Sequence, residues 1–135
     1  YQHVLEPVVS YLTVAAEQYN DITKADSYNI GPDDGDCVTT GMLVDLFCSK
    51  WNEAAKANGL SEASWVNKSD GGPHEAGFLK LDSSKIYAEL NIHNRWHIDT
   101  EMDKIIEWTV EYLKGGETLK VMDEQIRQYL EWKPQ

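Results

Sequence analysis

Leu5, Val8, Val9, Leu12, Ala15, Ala16 and Tyr19 recur at the three-and-four spacing that lines one face of an α-helix, and the same period returns along most of the chain. Pro7 suits a first helical turn, where no N–H is needed, and Glu6 complements the positive end of the helix dipole, so a helix is predicted over about residues 7–20. Leu43, Val44, Phe47, Trp51 and Ala55 make a second stripe, with Thr39 or Thr40 as its N-cap and Asn58-Gly59 as its stop. Ile86, Tyr87 and Leu90 point inward from a shorter helix capped by Asp82 or Ser83. Asp99 is the expected cap of the next helix, with Glu101 and Asp103 in its first turn and Met102, Ile105, Ile106, Val110 and Leu113 on its core face. Gly115-Gly116 ends that helix, and a last one is predicted from about Thr118 to Trp132.

Between these stripes stand short apolar pieces bounded by turn residues. Tyr28-Asn29-Ile30, running into Gly31-Pro32-Asp33-Asp34-Gly35, reads as a strand entering a turn, with Gly31 supplying a positive φ. Cys37-Val38-Thr39, Ser64-Trp65-Val66 and Phe78 to Asp82 read as further short strands, and Asn67 to Pro73 as a polar loop. The expected fold is therefore α+β, mostly helical with a few short strands, forming a single domain over residues 1–135. There is no long βαβ alternation and no Gly-x-Gly-x-x-Gly or Gly-x-x-Gly-x-x-Gly loop, so the chain lacks the means to bind a dinucleotide in that way.

Five Trp and seven Tyr provide bulky bodies for a core. A formal charge of −11 repels a phosphate-rich polymer and argues against nucleic acid as a partner, although a small anion can still be held by local donors. No apolar run spans a bilayer, so no membrane partner is expected. The first residues do not form a signal peptide, and with no initiator Met the chain is expected to begin inside a longer protein. Cys37 and Cys48 lack zinc or redox spacing and read as plain buried thiols, which fits a cytoplasmic protein. Asn67-Lys68-Ser69 is a chance match to a glycosylation sequon.

Four segments in register carry a resemblance. They are Tyr1-Gln2-His3-Val4-Leu5-Glu6-Pro7, Tyr28-Asn29-Ile30-Gly31-Pro32, Pro73-His74-Glu75-Ala76 followed by Leu79-Lys80-Leu81-Asp82, and Glu107-Trp108-Thr109-Val110-Glu111-Tyr112. Together they resemble the C-terminal, substrate-binding portion of extended short-chain dehydrogenase/reductases that act on nucleotide sugars (the NAD-dependent epimerase/dehydratase superfamily). The Gln-His-Val-Leu-Glu-Pro and His-Glu-Ala…Leu-Lys-Leu-Asp forms are similar to the CDP-glucose 4,6-dehydratase family in particular. The resemblance implies a parent enzyme whose N-terminal Rossmann domain binds NAD and carries the catalytic Tyr-x-x-x-Lys pair. In that enzyme NAD takes a hydride from C4 of the sugar, water leaves across C5–C6, and the hydride returns to C6. It also implies that this chain covers the nucleotide of CDP-glucose, is not catalytic by itself, holds no cofactor, packs on its own Rossmann domain, and comes from a homodimeric parent joined mostly through that domain. The rival expectation is a stand-alone, truncated interaction domain, or part of another nucleotide-sugar dehydratase or epimerase.

The substrate-binding candidates are Gln2, His3, Glu6, His74 and Glu75. Gln2 and His3 could face the ligand at the start of the first helix while Val4 and Leu5 face the core; the alternative is a polar segment end with a cap. His74 and Glu75 follow the Asp70-Gly71-Gly72-Pro73 loop, a common binding position, and the alternative is a solvated loop. In the family an Arg precedes the segment matching Tyr1-Gln2-His3, and other members of the superfamily place an Arg near the segment matching His74-Glu75; this sequence has neither. The family's Leu-Gly-Trp-x-Pro-Arg-Trp appears as Leu90-Asn91-Ile92-His93-Asn94-Arg95-Trp96, a packing corner expected to stay clear of the ligand. His93 and His97 lie four apart but in a loop beside Arg95, so no metal is expected there. Tyr129 and Lys133 match Tyr-x-x-x-Lys by chance, far from any cofactor fold, and no catalytic residue is expected. Trp51 and Trp108 read as core.

Overall fold

The computed structural model describes residues 1–68 and 80–133. It contains helices α1 (Leu5–Asn20), α2 (Thr40–Asn58), α3 (Ser84–Leu90), α4 (Ile98–Leu113) and α5 (Thr118–Glu131), with single 3-10 turns at Ile22–Lys24 and Asp34–Asp36. None of these helices is long and apolar enough to cross a membrane.

The mostly helical expectation holds, but the strands do not: among the described residues there is no β-strand. The reason is local. A strand needs a backbone ladder, and these extended pieces find side chains instead. Asn52 of α2 pairs with Ala63 as a neighbouring strand would, its Oδ1 accepting from the Ala63 N–H at 2.7 Å and its Nδ2 donating to the Ala63 carbonyl at 3.0 Å. Asn29 Nδ2 donates to the Asp82 carbonyl, and the Gly31 N–H donates to Ser83 Oγ at 3.0 Å. Gly31 does not use the positive φ that glycine permits; among the described residues Gly59 and Gly115 are the glycines with positive φ. Gly31 is small for a different reason: a Cβ there would sit 3.0 Å from Leu81 Cβ.

Helix α2 begins where Thr39 Oγ1 accepts from the Met42 N–H and ends on Gly59 at φ +67°, a left-handed stop that closes with Leu60 N–H donating to the Ala55 carbonyl. Its stripe packs on α4, where Trp51, Ala55, Met102 and Ile106 form the core, flanked by Leu43, Phe47 and Val110. The face of α4 is rotated from the expected one. Ile105 and Leu113 are 41% and 52% exposed, whereas Glu101 is 4% exposed. Helix α5 turns back along α4 and is anchored by two buried polar side chains, Gln125 and Tyr129. Gln125 Nε2 donates to the Lys104 carbonyl at 2.9 Å and to Glu107 Oε2 at 3.1 Å. Cys37 and Cys48 are free and half-buried rather than fully buried.

Asp99 is not the cap of α4. It lies in the first turn, and the helix starts at Ile98 with His97 in the cap position, whose own side chain makes no capping bond. The acceptor comes from more than sixty residues upstream: Asp36 Oδ1 takes the Ile98 N–H at 3.0 Å, and its Oδ2 lies 2.8 Å from His97 Nδ1. Asp36, donating no proton of its own, therefore holds both a helix terminus and an imidazole. That hydrogen bond, followed by the charges of Asp36, Asp33 and Glu6, raises the His97 pKa above its ordinary value. A raised histidine pKa adds stability that is fully present below the unfolded value and is lost as pH rises through the folded one. Asp36→Asn keeps an acceptor for Ile98 and removes the charge. The expected result is a lower His97 titration midpoint by NMR, with a stability loss that is larger at pH 6 than at pH 8.

Candidate functional site

Gln2 and His3 stand just before α1, and the tertiary structure gives each a defined partner. Gln2 Nε2 donates to Asn94 Oδ1 at 3.1 Å. Asn94 is in turn a hub, its Nδ2 reaching the Gly31 carbonyl and Asp33 Oδ1, both at 2.9 Å, and the Tyr87 hydroxyl at 3.2 Å. Tyr87 donates to Asp33 Oδ1 at 2.9 Å, and burial, then this bond, pushes its pKa up to about 12. The phenol therefore stays protonated near neutral pH and serves as a donor, not a base. The corner at residues 90–96, expected to be packing alone, thus fixes the amide of a candidate ligand residue.

His3 Nδ1 accepts from the Leu5 N–H at 3.3 Å, capping the first turn of α1. A nitrogen that accepts carries no proton, so the neutral ring bears its proton on Nε2. Burial, then the Lys104 ammonium, lowers the His3 pKa, which favours that neutral form. The ring meets Trp96 edge-on at 5.1 Å. Beside it runs an open groove of about 300 Å³, with His3, Val4 and Leu5 on one side, Lys104, Ile105 and Trp108 of α4 on another, and Met122, Gln125 and Ile126 of α5 completing it. Trp108, expected in the core, lines this groove and stacks on Tyr112 at 5.3 Å. The walls are apolar with three polar points: the His3 imidazole, the Lys104 ammonium, which also donates to Gln128 Oε1 at 2.7 Å and to Glu107 Oε2 at 3.4 Å, and the Gln125 amide, whose Nε2 is bonded to the Lys104 carbonyl and Glu107. That composition suits a ligand with a flat body and a few acceptors.

Glu6 is placed differently. It is fully buried, and its oxygens accept from the Arg95 N–H (3.0 Å), the Trp96 N–H (2.7 Å) and the Tyr129 hydroxyl (2.8 Å). Its carboxylate ties the start of α1 to the corner and to α5. The same bond, after burial, drives the Tyr129 pKa far above its ordinary value, so this phenol does not act as a base. His74 and Glu75 lie outside the described residues, so the structure brings together Gln2, His3 and Glu6 only.

A larger open hollow of about 670 Å³ lies between the Pro32–Asp34 turn and residues 80–87. Asp33, Asp34 and Asp82 line it against one cation, Lys80, which is itself ion-paired to Asp34, so it disfavours a diphosphate. Donor atoms of Asp33, Asp36 and His97 come within 4.8 Å of one another, but they are already engaged: Asp33 by Tyr87 and Asn94, Asp36 and His97 by the α4 terminus. His93 is elsewhere, stacked on Tyr87 at 4.8 Å, so the two histidines do not converge. Asn94, Lys104, Trp108 and Gln125 were not foreseen as site residues. The spacing of Lys104, Ile105 and Trp108 along one helical face was the available signal.

Over 131 residues, 96% of this chain, the sequence is 33% identical to the CDP-glucose 4,6-dehydratase of Salmonella typhimurium (strain LT2). This chain is related to one part of a CDP-glucose 4,6-dehydratase. It spans about a third (34%) of that protein's length. No family model matches the chain. The match extends over nearly the whole chain and so takes in most of each of the five helices.

Proposed function

We propose that this chain is the nucleotide-sugar-facing part of a CDP-glucose 4,6-dehydratase, which converts CDP-glucose to CDP-4-keto-6-deoxyglucose and water, and that it supplies binding rather than catalysis. The carrying observation is the 33% identity to such an enzyme over almost the whole chain. The geometry around His3 supports it: an imidazole whose Nδ1 accepts from the Leu5 N–H and whose Nε2 carries the proton, next to an apolar groove that the Lys104 ammonium also lines. In this reading Gln2, His3, His74 and Glu75 are the residues that hydrogen-bond the nucleotide, and Glu6 holds the Gln2-His3 segment in place through its bonds to residues 95, 96 and 129. Hydride transfer and elimination of water belong to NAD and to a dinucleotide-binding domain that this chain does not contain, and none of those steps falls to its residues. The parent is a cytoplasmic homodimer in the same reading.

The test is an amide-shift titration of the ¹⁵N-labelled chain with CDP-glucose, with UDP-glucose and TDP-glucose as controls and His3→Ala as the variant. Saturable shifts clustered around His3, Lys104 and Trp108, strongest for CDP-glucose and lost in His3→Ala, are expected. Equal small shifts for all three ligands remove the assignment of CDP. No shift near His3 at a ligand concentration of about 10 mM, well above a Kd of about 1 mM for a half-site, overturns the reading of this face as nucleotide-facing.

A further inference from the structure

A separate hollow of about 340 Å³ lies away from the His3 groove, between α1, the corner at residues 90–95 and the end of α5. Its walls include Thr13, Asn91, His93, Arg95, Tyr129 and Trp132. In a chain of net charge −11, no carboxylate side chain is among the described residues lining it. The nearest acid in the network, Glu6, is fully buried, with its oxygens taken by two backbone N–H groups and the Tyr129 hydroxyl.

Arg95 gives the hollow its chemistry. Arg127, on the exposed face of α5, is paired with Glu124 and Glu131. Arg95 has no carboxylate partner among the described residues. Its Nη1 donates to the Tyr129 carbonyl at 2.8 Å and to the Leu130 carbonyl at 3.5 Å, and its guanidinium lies 5.0 Å from the centre of the Tyr129 ring. A guanidinium has five N–H donors on three nitrogens. Among the described residues Nε and Nη2 have no acceptor, so one edge of a rigid, weakly hydrated cation remains to be matched. Such an edge matches the two oxygens of a carboxylate or phosphate. Trp132, 36% exposed at the end of α5, and Tyr129 contribute aromatic surface to the same walls.

We propose that this hollow is a second binding site, for a small organic anion: a flat ring bearing one anionic group, with Arg95 holding the charge and Trp132 covering the ring. The volume lies within the range of small-molecule pockets and excludes a polymer. The site is independent of the His3 groove, so it stands whether or not nucleotide sugars bind there.

The experiment is an NMR titration of the ¹⁵N-labelled chain, following the Trp132 indole N–H and the Arg95 Nε–H. The probes are phenyl phosphate and benzoate as the two anions, with benzyl alcohol as the neutral ring and inorganic phosphate as the anion without a ring. Both ring anions are expected to shift these two signals saturably with a Kd of about 1 mM or below, and benzyl alcohol and phosphate to bind at least about tenfold more weakly. If only one ring anion binds, it names the head group. Arg95→Gln is expected to abolish the effect, but it also removes a contact to the end of α5. Thr13→Glu keeps Arg95 and places a carboxylate on the wall; it is expected to weaken binding of the anions by at least about tenfold while leaving benzyl alcohol unaffected. Benzyl alcohol binding as tightly as phenyl phosphate, anion binding unchanged in Thr13→Glu, or no shift of either signal at about 10 mM probe overturns the proposal.

Discussion

Glu6→Ala is expected to lower the free energy of unfolding by about 3–4 kcal/mol, since it removes a charged acceptor from two backbone N–H groups and a phenol in the interior. Each such bond contributes about 1.5–3 kcal/mol, and the three share one carboxylate, so the sum is less than additive. Two of the donors left behind sit in the interior, since Trp96 is 5% exposed and Tyr129 is 2% exposed, while Arg95 is half-buried. A loss of this size is a large share of the ~5–15 kcal/mol that a domain has in total. Glu6→Gln should cost less, since its amide oxygen still accepts from the corner while its NH2 group opposes one donor. Urea unfolding checks both, and an alanine variant within about 1 kcal/mol of the parent contradicts the account. In the proposed reading the consequence extends to ligand binding. Without Glu6 the start of α1 loosens from residues 95 and 96, and Gln2 and His3 lose their fixed placement.

Glu101 gives the second large effect, with the opposite sign. It is 4% exposed on the inward face of α4, and burial, then the nearby charges of Glu6 and Asp36, push its pKa up to about 7, against a backbone hydrogen bond at His3 that favours the charge. A carboxyl group raised above its unfolded value binds a proton in the folded state that the unfolded state has released. Stability therefore falls as pH rises from the ordinary carboxylate range to about 7, and the cost then stays constant. Each unit of pKa difference is worth about 1.4 kcal/mol, so the span amounts to about 3 kcal/mol. Glu101→Gln keeps an oxygen acceptor and never ionises. It is expected to stabilise the chain by about 3 kcal/mol more at pH 8 than at pH 5, measured by urea unfolding at the two values. Equal effects at both pH values would show that Glu101 is ionised in the fold throughout. Because Glu6 contributes to the shift, Glu6→Gln should lower the Glu101 midpoint.

Helix positions were legible because they rest on local rules. Thr39 caps α2 through its hydroxyl, Gly59 stops it because without a Cβ it takes a left-handed φ, and the stripe containing Trp51 and Ala55 is buried against α4 as its period implies. The strands at Tyr28–Ile30, Cys37–Thr39 and Ser64–Val66 were misread, because extended residues carry no mark of whether a ladder partner exists; Asn52 and Ser83 supplied side-chain partners in place of one. Glu6 reads from sequence as a charge that complements the helix dipole and as a substrate-binding candidate. Its position relative to Arg95, Trp96 and Tyr129, which lie 89 to 123 residues away, decided otherwise. Asp36 is the same case: a turn residue by sequence, it proves to be the cap of a helix that begins 62 residues later.

By itself, the sequence determined the helical period, the caps and stops written in neighbouring residues, the absence of a Gly-rich dinucleotide loop, and a likeness to one part of a dehydratase over nearly its whole length. Those properties depend on side chains within a few positions of each other, or on order along the chain. The tertiary structure alone decided which charges are buried and who pairs with them: Glu6 with the corner, Asp36 with α4, Gln2 with Asn94, Arg95 with the end of α5. A polar group's role depends on whether water or a distant donor meets it, and that is fixed only when remote elements pack together.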